Sequence, residues 1–77
     1  MEEKYFMHRI RRIDGTFDKG IEIKDTFDEA KQAYAAQMAA FAYGANEHCD
    51  YCSCMITTFE GMVIDKYNET WFRPVQA

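Results

Sequence analysis

Residues able to do chemistry are concentrated in one stretch, Glu47-His48-Cys49-Asp50-Tyr51-Cys52-Ser53-Cys54, which holds all three cysteines and one of the two histidines. Thiolates and imidazoles at short spacing can hold a metal cation, and a Cys-x-x-Cys pair can cycle between dithiol and disulfide. A metal reading takes Cys49 and Cys52 as half of a familiar zinc spacing, with Cys54 and, from the first strand, His8 completing the set. Structural zinc usually draws two such halves from separate segments so that four donors converge tetrahedrally, and the second half is missing. A redox reading places Cys-x-x-Cys at a helix N-terminus, where the dipole lowers the thiol pKa. Here the motif leads into a strand pattern. His48 and Cys49 are also adjacent in sequence, so on an extended chain they diverge and cannot act as base and nucleophile.

The remaining reading is that Cys52, Cys54 and Ile56 form the inward face of a strand, free cysteine being among the most buried residue types. On that reading no metal and no cofactor is expected, and a metal-binding or redox-sensing protein built on Cys49, Cys52, Cys54 and His8 is the alternative.

Two further features invite a chemical reading. The run His8-Arg9-Ile10-Arg11-Arg12 is the densest basic stretch, and Tyr5 and Met7 share a strand face with Arg9 and Arg11. That combination is a candidate platform for single-stranded RNA. With Asp18 opposite Arg11 and Glu22 nearby, it also reads as a solvated cross-strand charge face, the reading preferred here. Ser53 is the only serine, the chain has no Gly-rich phosphate loop, and its carboxylates are scattered over turns and a helix start. No catalytic constellation results, and an enzyme is not expected.

The elements that position these residues follow from periodicity. Lys4 to Lys24 alternates on both sides of Asp14-Gly15, a preferred two-residue type I′ turn, and reads as a β-hairpin. Pairing Ile13 with Thr16 sets Phe6 opposite Ile23, His8 opposite Ile21, Ile10 opposite Lys19 and Arg12 opposite Phe17. The other face sets Tyr5, Met7, Arg9 and Arg11 against Lys24, Glu22, Gly20 and Asp18. The first face is the more apolar and is expected to be the core face.

Thr26-Phe27-Asp28-Glu29 is a capping-box start, and Phe27, Ala30, Tyr34, Met38 and Phe41 fall on one helical stripe up to the terminator Gly44. The opposite stripe of Gln32, Ala36, Ala39, Ala40 and Tyr43 carries little charge, either because alanine favours helix or because another chain approaches there. A second hairpin follows: Tyr51 to Thr58, a turn at Phe59-Glu60-Gly61, and a return over Met62 to Tyr67. The segment Thr70-Trp71-Phe72-Arg73-Pro74 either extends that strand or folds over the core edge, with Pro74 ending it. The fold class is therefore α+β: a two-layer ββαββ domain over residues 1–77, with a four-stranded, mainly antiparallel sheet and one helix on one face.

With 77 residues, 48% hydrophobic and 16% aromatic, the chain can build a core. A domain of this size nevertheless buries only about 60% of its unfolded surface, and extra burial in a dimer would help it. A net charge of −4 disfavours binding through phosphate neutralisation, so nucleic acid is an unexpected partner. The acidic start Met1-Glu2-Glu3-Lys4 reads as no secretory signal, and the apolar stretch Ala33 to Ala45 is too short to span a bilayer. An odd number of cysteines fits a reducing compartment, so a cytoplasmic protein with no membrane association is expected.

The stretches YFMHRI, DGTFDKGIEI, KDTFDEAKQAY and YCSCMITTFEG together resemble small uncharacterised proteins of Gram-positive gut bacteria and their phages. That resemblance implies an accessory role and no particular activity or site. The function expected is a small interaction or regulatory module acting by protein–protein contact and self-associating as a homodimer, with a metal-binding or redox-sensing protein and a weak single-stranded RNA binder as alternatives. The surface residues assigned to the contact are Tyr5, Met7, Tyr51 and Met55 on the outer sheet face, slightly preferred, and Ala36, Ala39, Ala40 and Tyr43 on the helix.

Overall fold

Asp14 and Gly15 both adopt the left-handed conformation that a type I′ turn requires, with φ of 52° and 79°. The turn fixes the hairpin in the register expected: β1 (Tyr5–Ile13) and β2 (Thr16–Lys24) pair antiparallel from Ile13 opposite Thr16 to Tyr5 opposite Lys24. The structure, a computed structural model, describes residues 4–44 and 48–72. Pro74 as a strand terminator lies outside the described residues.

Thr26 caps helix α1 (Phe27–Ala42): its side-chain oxygen accepts a hydrogen bond from the Glu29 amide at 3.1 Å. The Glu29 carboxylate reaches back and accepts from the Thr26 hydroxyl at 3.1 Å, and Lys4 pairs with Asp25 just before the cap. At the other end Gly44, at φ 68°, takes the left-handed conformation that stops the helix. No helix among the described residues is long and apolar enough to cross a membrane.

Strands β3 (Cys49–Thr58) and β4 (Val63–Phe72) complete one sheet in the order β2-β1-β3-β4, every neighbouring pair antiparallel. Thr70, Trp71 and Phe72 extend β4, which resolves the open choice for that segment. The architecture is the expected ββαββ α+β fold with a single helix.

The core lies between α1 and one sheet face. Met7, Cys52, Cys54, Ile56, Ala30 and Tyr34 are buried there, and Tyr5, Phe27, Met38, Phe41, Ile64, Tyr67 and Trp71 close around them. The helix stripe and the inward cysteines match expectation. The hairpin face does not: Phe6, Ile10, Ile21 and Ile23 turn away from the helix, and Ile21 and Ile23 are 60% and 66% exposed. In the β1–β3 ladder Met7 sits opposite Ile56, Arg9 opposite Cys54 and Arg11 opposite Cys52. Directly opposed residues of an antiparallel pair share a face, so once the thiols point inward Tyr5, Met7, Arg9 and Arg11 must do so too.

Candidate interaction face

The face without a helix is built by the alternate residues. Phe6, His8, Ile10 and Arg12 of β1 have Ile23, Ile21, Lys19 and Phe17 of β2 on one side and Thr57, Met55, Ser53 and Tyr51 of β3 on the other. Phe72, Thr70, Asn68 and Val63 of β4 extend it to the far edge. Phe17, Ile21, Ile23 and Phe72 are each between 60% and 71% exposed, and Phe59 in the β3–β4 turn is 58% exposed.

At one end of this face an aromatic row crosses the sheet. Phe17 meets the edge of Tyr51 at a centroid separation of 5.9 Å, and Tyr51 meets Phe72 at 5.2 Å. The Arg12 guanidinium lies 5.8 Å from the Phe17 ring centre, a cation–π distance. At the other end Phe6 packs on Phe59 at 6.0 Å and against the His8 ring at 6.4 Å. Each of these rings has at least one ring neighbour on the face, at separations usual for aromatic pairs.

Polar groups on the face find partners within the chain. Arg12 donates from Nε and Nη2 to the two carboxylate oxygens of Asp50 at 2.9 and 2.8 Å, a bidentate pair whose hydrogen bonding and charge raise the guanidinium pKa further above its ordinary value. His8 Nε2 is 2.9 Å from Thr57 Oγ1, and the Thr70 hydroxyl donates to Ser53 Oγ at 3.3 Å. Along β1, β2 and β3 the full charges on this face are Lys19 and the Arg12–Asp50 pair, in a chain of which 29% is charged. The charges have been placed elsewhere.

Several residues assigned to the surface from the sequence change place. Met7 is fully buried and Tyr5 packs on Phe27 at 5.4 Å, so both lie on the helix side of the sheet and not on its open face. Tyr51 and Met55 do lie on the open face, half-buried among its neighbours. On the helix Ala36 and Tyr43 are exposed, Tyr43 to 89%, while Ala39 and Ala40 are half-buried. A groove of about 400 Å³ runs between the helix and β2, lined by Gln32, Ala33, Ala36 and Gln37 with Glu22, Lys24 and Glu29. The Lys24 ammonium in this lining lies 3.5 Å from the Glu22 carboxylate.

The proposed metal ligands do not converge. His8 belongs to the open face and Cys52 and Cys54 to the helix face, on opposite sides of the sheet. Cys49, at the start of β3, donates its thiol hydrogen to the Tyr51 carbonyl at 3.3 Å. Among the described residues no group of three or more His, Cys, Asp or Glu is arranged to hold an ion.

The RNA strip is lost for a related reason, since its stacking residues Tyr5 and Met7 are core residues. Arg11 is tied to Asp18 at 2.6 Å, which lowers the Asp18 pKa, and the Nε atoms of Arg9 and Arg11 are buried without a hydrogen-bond partner. A Cβ on Gly20 would lie 3.0 Å from a terminal nitrogen of the Arg9 guanidinium, a tight contact with the flexible end of that side chain.

Cys52 and Cys54 lie beneath the helix with their sulfurs 3.9 Å apart. The hydrogen bond between them favours ionisation of Cys52, helped by the charges of Arg11 and Arg9 and opposed by burial. The same hydrogen bond and burial push the Cys54 thiol up. Reactivity also needs access, and all three cysteines are buried. A disulfide-exchange reagent should therefore label none of them rapidly in the native protein and all three in guanidinium chloride. Rapid labelling of Cys52 in the folded state would restore a thiol chemistry to the pair.

Sequence reasoning missed Phe17, Ile21, Ile23 and Phe72 as surface residues because they are the most apolar members of their strands. The available signal was on β3, whose inward cysteines select the opposite face of β1 once the two strands are paired in register. Comparisons with protein-family models, with curated protein sequences and with solved structures return no match to this chain.

Proposed function

We propose that this domain is a protein-contact module that works through the open face of its sheet. The observation that carries the reading is the composition of that face: large apolar side chains from β1, β2 and β4 lie exposed on it around the half-buried Tyr51 and Met55 of β3, with few charges. Contiguous apolar surface of this extent is rare on a free monomer and marks interaction sites. Aromatic and Met side chains with few charges are also the composition of interface cores. A cytoplasmic setting suits three cysteines, an odd number.

A photo-crosslinking amino acid at Phe17 tests this in living cells, with the same residue at Ala36 on the helix as control. Covalent protein adducts are expected from position 17 and not from position 36. The reading fails if position 17 yields none, or no more than position 36.

A further inference from the structure

We infer that the occupant of the open face is a second copy of the same chain, the two sheets stacked face to face about a two-fold axis. This rests on the protein-contact reading and names its partner.

Area supports the inference first. Four strands at about 4.8 Å spacing and nine to ten residues at about 3.3 Å rise give a flat outline of about 600 Å². Side-chain relief brings the accessible area close to the roughly 800 Å² per partner of a standard stable interface. One face of one sheet is therefore the right size for a complete dimer contact.

Polar satisfaction supports it next. A buried polar group must have a partner. Arg12 is matched by Asp50, His8 by Thr57 and Ser53 by Thr70, all within one chain. The surface laid over them need supply no complementary charge or donor, only apolar shape. A copy of this face supplies that, and two-fold symmetry makes the same patch serve both sides.

The other modes of association are less suited. Edge-to-edge pairing would use β2 or β4, and β2 carries Asp18, Lys19, Glu22 and Lys24 along its length, the usual guard against strand addition. An anionic membrane surface would be repelled by the net charge of −4. Sheets stacked about 10 Å apart, with strands roughly 30° from parallel, would interleave Ile21 and Ile23 with the aromatic row and leave Lys19 at the rim.

Sedimentation equilibrium of the purified full chain tests it. The wild type is expected at twice the monomer mass by roughly 100 μM, a concentration that populates even a modest interface. Ile21→Lys with Ile23→Lys should weaken association at least tenfold with an unchanged far-UV spectrum, while Ala36→Lys should leave it unaltered.

Photo-crosslinking from Phe17 in the purified protein provides a readout that needs no lysine variant. It should give one adduct, joining two copies through open-face peptides. A wild type still monomeric at that concentration, an adduct joining the helix, or association lost in Ala36→Lys but kept in the double variant would each overturn the inference. If the purified chain is monomeric but position 17 captures a different protein in cells, the second-copy inference falls and the contact reading survives. If position 17 captures nothing in cells, both fall.

Discussion

Truncation of Met7 to alanine is expected to lower the stability of the domain by about 2–5 kcal/mol, the usual range for a fully buried methionine or leucine. Met7 has no exposed surface and packs in one cluster with Cys52, Cys54, Ile56 and Tyr34. A chain of this size has a total stability of only about 4–12 kcal/mol, so the loss would leave a substantial unfolded fraction at the lower end. Ile23→Ala, by contrast, should change stability by less than about 0.5 kcal/mol at sub-micromolar concentration, where association adds nothing. Ile23 is the more hydrophobic residue, and a simple hydropathy argument orders the two variants the other way. Urea unfolding of both settles which hairpin face is the core. An Ile23→Ala loss as large as that of Met7→Ala would mean that the helix packs on the opposite face.

Tyr34 should respond in opposite directions to two substitutions. Its ring sits between the edges of Tyr67 and Trp71, at centroid separations of 5.3 and 5.8 Å, and it is almost wholly buried. Replacing it with alanine removes a central aromatic and is expected to cost about 3–5 kcal/mol, as for buried phenylalanine. By donor–acceptor geometry its buried hydroxyl makes no hydrogen bond, although the Glu69 carboxylate, which accepts from the Trp71 indole at 3.1 Å, is close enough to act on it. An unpaired buried hydroxyl is a liability, so Tyr34→Phe should raise stability by about 1 kcal/mol and the melting temperature by about 4–8 °C. A phenylalanine variant less stable than the wild type would show that the hydroxyl is satisfied, with Glu69 its partner.

The same burial, with the charge of Glu69, pushes the phenol well above its ordinary value. The unfolded chain releases that proton at about pH 10 and the folded chain holds it. This residue's contribution therefore falls as pH rises beyond the ordinary phenol range, and that alkaline loss should vanish in Tyr34→Phe.

Two of the three thiols that dominate the sequence are core residues. Cys52 and Cys54 occupy inward positions of a central strand, where small, polarisable side chains fit under Tyr34 and Trp71. Burial and the separation from His8 across the sheet both follow from alternation along the strands, so the spacing that suggests a metal in one dimension places the ligands on two faces in three.

Local chemistry in the sequence determined the elements and much of their geometry. Asp14-Gly15 admits one tight turn, and that turn sets the pairing of every residue from Tyr5 to Lys24. Thr26 and Gly44 mark the helix ends through a side-chain oxygen and a left-handed backbone, and the stripe from Phe27 to Phe41 is set by helical periodicity. The inward setting of Cys52, Cys54 and Ile56 was legible from the same kind of pattern.

Only the tertiary structure decided which face of the hairpin meets the helix, and with it the composition of the candidate site. A hairpin register is the same for both faces, and here each face carries apolar residues near its open end. The choice depends on how β3 pairs with β1, strands far apart in sequence, and on the hand of the helical crossover between β2 and β3, which run parallel on either side of β1. A shift of one residue in the β1–β3 ladder would exchange the two faces. Placing Met7 against Ile56 turned Tyr5 and Met7 toward the helix and Phe6, Ile10, Ile21 and Ile23 outward, because opposed residues in a ladder share a face whatever their hydropathy.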